Sequence, residues 1–524
     1  MHFSSLQFVC PHSFVTSPFV LRLKKPVKIG LWLLGFAVLG LLGLWLEHER
    51  AKARLAAFKA QLIAKGEKLA IADHVPKLPP ALSNAAPDFL AAAERLTKLE
   101  WEFQPKLMRL VAPGRARVMW LQTELPTEAQ TDIWSIVTAQ VEENRDVLAE
   151  MATALERPKM AFYLDYSKGF DLPGPPLGRM TMAVNTIANA VAVDLRADQS
   201  ASAISNLLVG VRLIRLQEEP LMTAQKTRIA NGHTLQQATW EVLQHPRSTG
   251  PQLRELQAAW QPLAISRGWM AAGEMERAFG LDLFAKCRTS PDMASMVNWN
   301  DHGASGPSGT PFLEDLWNRP ERAADRAARF ATTAVWAWWF SGDDEQWTLR
   351  QHQICLDGAR EALTAGAFAP AHKRIAAAST PLDGWPKTAI LSRWTTSGVD
   401  RNNLKFASFE TVRRLTFTSI ALHRHRLKHE RFSAALDALV PEFLSEVPRD
   451  FMDGQPLRYK LQPDGQFLLW SVGEDFKDNG GDPTSVGASS YNPFDWLKGR
   501  DWVWPLPASN TEVESYHHSL RTKK

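Results

Sequence analysis

Residues 29–46 read "IGLWLLGFAVLGLLGLWL", eighteen positions without a charge. How this stretch is read decides the plan of the whole chain. As a helix rising about 1.5 Å per residue it is about 27 Å long, close to the hydrocarbon thickness of a bilayer. Arg22, Lys24, Lys25 and Lys28 precede it, and Trp32 and Trp45 lie near its two ends, where interfacial aromatics are favoured. A cleaved signal peptide has a shorter apolar region followed by a small-residue site. Here "EHERAKARL" follows at once, so the segment reads as an uncleaved transmembrane signal anchor. Arg50, Lys52 and Arg54 lie on the far side, but the tighter basic cluster is N-terminal. That asymmetry makes residues 1–28 a cytoplasmic tail and puts the bulk of the chain across the membrane. Glycines 30, 35, 40 and 43 form no G-x-x-x-G pairing motif. The fifth position after Gly30 is Gly35, where a prepilin leader would need Glu.

The remainder is long for one ordinary domain. With 45% apolar and 22% charged residues among 524, it has the composition of a globular protein with a sizeable core. Sixty basic against 56 acidic residues leave a net charge of +4, so nothing demands nucleic acid as a partner. No G-x-G-x-x-G or P-loop pattern occurs, and no nucleotide cradle is indicated. The 20 Trp against five Tyr read as buried anchors. Three cysteines, Cys10, Cys287 and Cys355, rule out a disulfide scaffold. The latter two read as buried thiols.

Residues 47–66 continue the anchor as a juxtamembrane helix, broken by "HVPKLPPALSNAAP" at 74–87. Residues 67–404 read as a mostly helical extracytoplasmic domain of helical hairpins. The clearest runs are 86–96, 126–155 and 180–217, the last being "MTMAVNTIANAVAVDLRADQSASAISNLLVGVRLIRLQ". No fixed 34-residue period accompanies them, so a tetratricopeptide array is rejected. Residues 291–312 read as a polar Gly/Pro/Ser loop. The run "FATTAVWAWWF" at 330–340 is too short to cross a membrane and reads as a buried helix.

After about residue 405 the texture changes to a small α+β module with an antiparallel sheet, ending near 505. A helix at 406–432 is followed by strands "PLRYKLQ" (456–462) and "QFLLWSV" (466–472). Leu457, Tyr459 and Leu461 alternate with Arg458 and Lys460, the pattern of a half-buried strand. Pro463-Asp464-Gly465 suits a hairpin connection. The acidic loop "SVGEDFKDNGGDP" (471–483) comes next, then an aromatic strand near Asp501, and residues 506–524 form a polar tail.

This order, with "RFSAALDALVPEFL" (431–444), "VPRDFMDGQPLRYKL" (447–461) and "FLLWSVGEDFKDNGG" (467–481), resembles the soluble head of type II secretion major pseudopilins. In that family a glycine- and aspartate-rich loop after the hairpin binds calcium. The resemblance implies calcium ligands at Asp475, Asp478 and Asp482, with Asp501 added from the end strand. Two departures speak against polymerisation: the helix lies far from the membrane segment, and the prepilin leader is absent. The whole layout also resembles a group of membrane-anchored proteins from planctomycete- and verrucomicrobia-like bacteria, through "KAQLIAKGEKLAIADHVPKLPP" (59–80), "MAFYLDYSKGF" (160–170) and the tail. That resemblance implies an architecture and no activity.

Chemical motifs are sparse. An EF-hand starting at Asp475 fails, because its third position is Lys477 and its twelfth is Val486. The competing reading of the loop is an acidic turn, since Asp, Asn and Gly favour turns. His423, His425 and His429 match neither H-E-x-x-H nor H-x-x-E-H, and read as a solvated basic helix face. Ser305 and Ser308 in "GASGPSG" lie outside any G-x-S-x-G. Asp165 and Asp194 read as solvated surface acids. The sum is a non-catalytic envelope protein, single-pass in a bacterial inner membrane with its bulk in the periplasm. It would bind or scaffold a protein partner, linked to a secretion or pilus-like system. The alternative is an envelope hydrolase acting on glycan or peptide, its acid/His site assembled from distant residues. A fibre subunit is a third reading and requires the C-terminal module to be free.

Overall fold

The computed structural model describes residues 25–100, 104–125, 132–289, 318–378, 389–396, 399–485 and 495–522. Most of the expected cytoplasmic tail, Cys10, and the 291–312 loop with Ser305 and Ser308 lie outside the described residues. The chain is mostly helical, with a long apolar helix at its N-terminal end and antiparallel strands in a small C-terminal part.

Helix α1, Lys25–Ala64, runs through the expected anchor and juxtamembrane segments without a break. Among the described residues, Trp32–Ala64 is the one stretch long and apolar enough to cross a membrane. Residues 32–47 touch nothing that buries them, whereas Ala51, Leu55 and Leu62 are buried on one face against the body. The helix stops where Gly66 takes φ +89°. There the Gly66 N–H donates to the Ile63 carbonyl at 2.9 Å and the Glu67 N–H to the Leu62 carbonyl at 3.0 Å. A left-handed residue satisfies the last carbonyls in this way, and glycine adopts it at least cost.

The body is a stack of helices: α2 (Ala86–Ala93), α3 (Trp134–Glu143), α4 (Arg145–Ala154), α5 (Leu177–Arg196), α6 (Ser200–Leu216), α7 (Met222–Leu243), α8 (Gly250–Trp260) and α9 (Ser266–Thr289). After the undescribed stretch come α10 (Pro320–Val335), a wide π-turn at Trp336–Phe340, α11 (Ser341–Ala365), α12 (Ala369–Ala378), α13 (Ile390–Thr395) and α14 (Val399–His429). The expected hairpin at 180–217 is α5 and α6. It closes on Asp198 at φ +62°, with Gln199 N–H donating to the Asp194 carbonyl at 2.8 Å, the same cap with aspartate in place of glycine. At the centre lies α7, packed against α5, α6, α9 and α14. Its Gly232 lets the Phe409 ring of α14 sit where a Cβ would be only 2.3 Å from Cε2.

The C-terminal strands are β3 (Arg458–Leu461), β4 (Phe467–Ser471) and β5 (Trp502–Val503), antiparallel in the order β3–β4–β5, with Leu461 opposite Phe467. The hairpin turn contains Gly465 at φ +80°. A second small sheet joins β1 (Leu110–Ala112), β2 (Arg115–Ala116) and β6 (Leu506–Pro507), with β6 parallel to β2. The polar tail thus folds back onto the body. Backbone pairing needs no apolar composition, and α15 (Asn510–Thr522) adds a buried Val513 and a 3.1 Å hydrogen bond from Arg109 Nε to Tyr516 Oη. One core runs from Ala85 to Trp504 and includes Phe406, Phe409, Val412, Leu415 and Ile420 of α14. The C-terminal module is built into the helical body through this helix.

The 330–340 run differs from the buried helix expected of it. Trp336 is buried, but Phe330, Val335 and Trp338 are 55%, 43% and 66% exposed. The run straddles the end of α10 and the π-turn, and only one side of it meets the body.

Candidate functional site

The acidic loop after β4 is organised around one carboxylate. Asp501, at the start of the strand that pairs with β4, is fully buried and accepts N–H bonds from Asn479 (3.1 Å), Gly481 (2.7 Å) and Asp482 (3.1 Å). Gly480 and Gly481 both take positive φ, which turns successive amides inward. Burial raises the Asp501 carboxyl above its ordinary range, against the pull of those three amides. Asp478 accepts from Trp470 Nε1 at 3.0 Å and from the Gly480 N–H at 3.0 Å, with Arg458 Nε at 3.5 Å. The Trp470 bond leads the forces that hold it below the ordinary range. Asp482 caps Thr484 and faces Arg500 at 3.5 Å, and Asp475 accepts the Lys477 N–H at 2.9 Å.

The structure brings the four expected ligands to one loop but does not turn their oxygens toward a common point. Among the described residues no three acidic, His or Cys side chains group to hold a metal. Calcium requires six to eight oxygens converging on it, whereas here amide hydrogens point at the central carboxylate. As arranged, the four residues do not fit the ion. The loop already has cations beside it, Arg500 at Asp482 and Arg458 at Asp478, and Arg458 also reaches Asp450 at 3.2 Å and bonds Asp453.

Asp450 carried no sequence signal, being one Asp in the turn-like "RDFMDG". It is completely buried and accepts from the Met452 N–H, the Val472 N–H and Ser471 Oγ, each at 2.9 Å. It thereby ties the chain before β3 to the end of β4. Burial raises its pKa.

The basic end of α14 is less solvated than its composition suggests. His423 is buried, edge-on to Phe432 and Phe467, and burial pushes it down to about 3. It is a neutral core residue. His425 and His429 do share a face, their rings 4.4 Å apart beside Phe443. His425 Nδ1 is engaged by the Arg431 carbonyl at 2.9 Å.

The scattered acids divide. Asp165 stays exposed and accepts the Ser167 N–H. Asp194 is buried, 2.8 Å from Arg145 and bonded by Ser202 and Asn206. Glu241 on α7 is also buried; its carboxylate accepts the Met108 and Met119 N–H groups at 3.0 Å. Burial pushes it up to about 7. Asp194, Glu241, Asp450 and Asp501 each already hold a backbone amide or a cation.

Glu276, His352 and Cys355 line a cavity of about 30 Å³ with Trp269, Leu356 and Asn403. That volume holds one or two waters and no glycan or peptide. Burial raises the Glu276 carboxyl above its ordinary range and pushes His352 down to about 4. Cys287 and Cys355 are buried and are not joined in a disulfide.

No family model matches the chain, and no curated protein or solved structure does either.

Proposed function

We propose that this protein is a non-catalytic, membrane-anchored component of a bacterial envelope that holds or recognises a protein partner. One observation carries the reading. Helix α1 passes from its apolar span into the body without a hinge and is fixed there by Arg54 to Asp343 (3.1 Å), Lys59 to Glu345, and Glu67 to Arg277 (2.9 Å). A continuous helix carries a body at a set height and orientation above a bilayer, as a scaffold requires. Interior carboxylates committed to structure and a cavity of water size support the same view.

The basic cluster before the span supports an inner-membrane position with the bulk in the periplasm. The order of α14, hairpin, acidic loop and β5 supports a pseudopilin-like origin for the C-terminal module and a link to a secretion or pilus-like system. Enclosure of α14 by α7 and α8 speaks against a fibre subunit, whose helix must be free for lateral packing. Crosslinking in native membranes followed by mass spectrometry tests the reading. A heterologous partner joined to the body is expected; recovery of monomer alone with several crosslinkers overturns it.

A further inference from the structure

Helix α10 and the π-turn behind it present a largely exposed apolar face. At about 100° per residue, Ala324, Ala327, Phe330, Ala331 and Val335 fall in one arc, away from Asp325 and Arg322, with Ala323 in the same arc buried. All five are exposed, and Trp338 stands exposed just beyond them. The π-turn is held from its other side: Trp336 is buried near Phe284 and donates Nε1–H to Asp344 at 2.8 Å. The exposure of Trp338 is therefore fixed by the packing of its neighbour.

Where this face lies follows from α1. Helix α11 runs alongside α1 in the same direction, as successive contacts show: Arg54 with Asp343, Phe58 with Arg350, and Glu67 with Arg360. Gly342 packs against α1, where a Cβ would make ordinary contact with Ala51 at 3.7 Å. Ala51 is five residues past the end of the apolar span at Leu46, about 7.5 Å along the helix. That is about the depth of one headgroup layer. Residues preceding Gly342 lie on the membrane side of it, so Trp338 and the end of α10 reach the level of the headgroups.

We infer that the exposed apolar face of α10 and the π-turn meets the headgroup layer of the bilayer that α1 crosses, a second membrane contact. An amphipathic helix with Arg on its polar side and Phe, Val and Trp on the other suits this position. Its rings sit at the acyl boundary and its cations, Arg319 and Arg322, meet anionic lipid phosphates. Two separate membrane contacts on one body remove the rotational freedom a lone anchor leaves. The inference rests on the anchored reading and goes beyond it.

The test uses the full-length chain in a phosphatidylethanolamine–phosphatidylglycerol bilayer doped with a phospholipid that carries a diazirine near its headgroup. After irradiation, labelled peptides are mapped by mass spectrometry. Label on residues 320–340 as well as on 29–46 is expected. The exposed-residue variant F330S/V335S/W338S should keep its thermal midpoint and lose the 320–340 label. Label on 29–46 alone overturns this inference and leaves the anchor standing. Label on neither overturns both. A parallel reaction with a bifunctional protein crosslinker that joins the 320–340 segments of two copies, with no lipid adduct there, also overturns it, since the face then meets a second chain.

Discussion

The Glu67 carboxylate, three residues beyond the end of α1, lies 2.9 Å from Nη1 of Arg277, a guanidinium on α9 that is completely enclosed. The same carboxylate accepts from Gln353 at 2.9 Å and from Arg360. The point where the anchor helix ends is thus tied to α9 and α11 by one charge cluster.

Removing that carboxylate leaves Arg277 buried without a counter-charge. Glu67→Ala is expected to cost about 3–5 kcal/mol of stability, the usual effect of breaking a buried pair from one side. Urea unfolding in detergent micelles measures it. Burial alone would raise the Glu67 carboxyl, but bonds from Arg360, Gln353 and Arg277 hold it down at about 2 against its ordinary 4.5. A depressed acid contributes stability that is complete above the ordinary value and lost as pH falls toward 2. The wild-type melting temperature should drop over that window, and the variant should drop less.

Glu241 and Glu219 act with the opposite sign. Burial pushes each to about 7 from an ordinary 4.5. The folded chain then holds protons that the unfolded chain has released, so stability falls as pH rises from 4.5 to 7. Glu241→Gln retains an acceptor for the Met108 and Met119 amides and should flatten part of this slope. Adding Glu219→Gln should flatten it further. Thermal melts at half-unit pH steps distinguish these outcomes, and an unchanged slope in the double variant would refute the assignment.

The contact between Gly232 and Phe409 decides whether the C-terminal helix belongs to the body. Gly232→Ala would put a methyl 2.3 Å from the Phe409 ring, an overpacking expected to cost about 1–3 kcal/mol. Combining it with Phe409→Leu should recover part of the loss, a coupling expected only of residues in contact. Strict additivity in denaturant unfolding would show that α7 and α14 do not pack this way.

Asp501→Ala strands the buried Gly481 amide together with those of Asn479 and Asp482. About 1–3 kcal/mol per unsatisfied buried donor sets the scale, and the loss should appear as a lower melting temperature. Because the oxygens of Asp501 already face amide hydrogens, neither calcium nor chelator should shift the wild-type melting curve. A calcium-dependent rise would falsify this arrangement of the loop.

Local pattern was sufficient for several features. Eighteen uncharged positions made a helix long and apolar enough to cross a membrane, a property of length and composition alone. Alternation around Leu457 to Leu461 and a glycine at 465 made a hairpin, because strand pairing and turn conformation are decided within a dozen residues. The hairpin of α5 and α6 was likewise legible from its own composition.

The fate of individual polar residues was not legible. Asp165 and Asp194 look alike in sequence, yet one is solvated and the other buried on Arg145, 49 positions away along the chain. His423 sits in a basic run and is a neutral core group. The acidic loop kept its place after the hairpin, but whether its carboxylates face a cation or amides depends on Asp501 arriving from a later strand. An apolar segment carries its own driving force wherever it goes, because burial energy scales with its own area. A charged group has no such intrinsic preference: its burial is favourable only when a distant partner arrives in the right geometry, and that meeting is made by the tertiary structure.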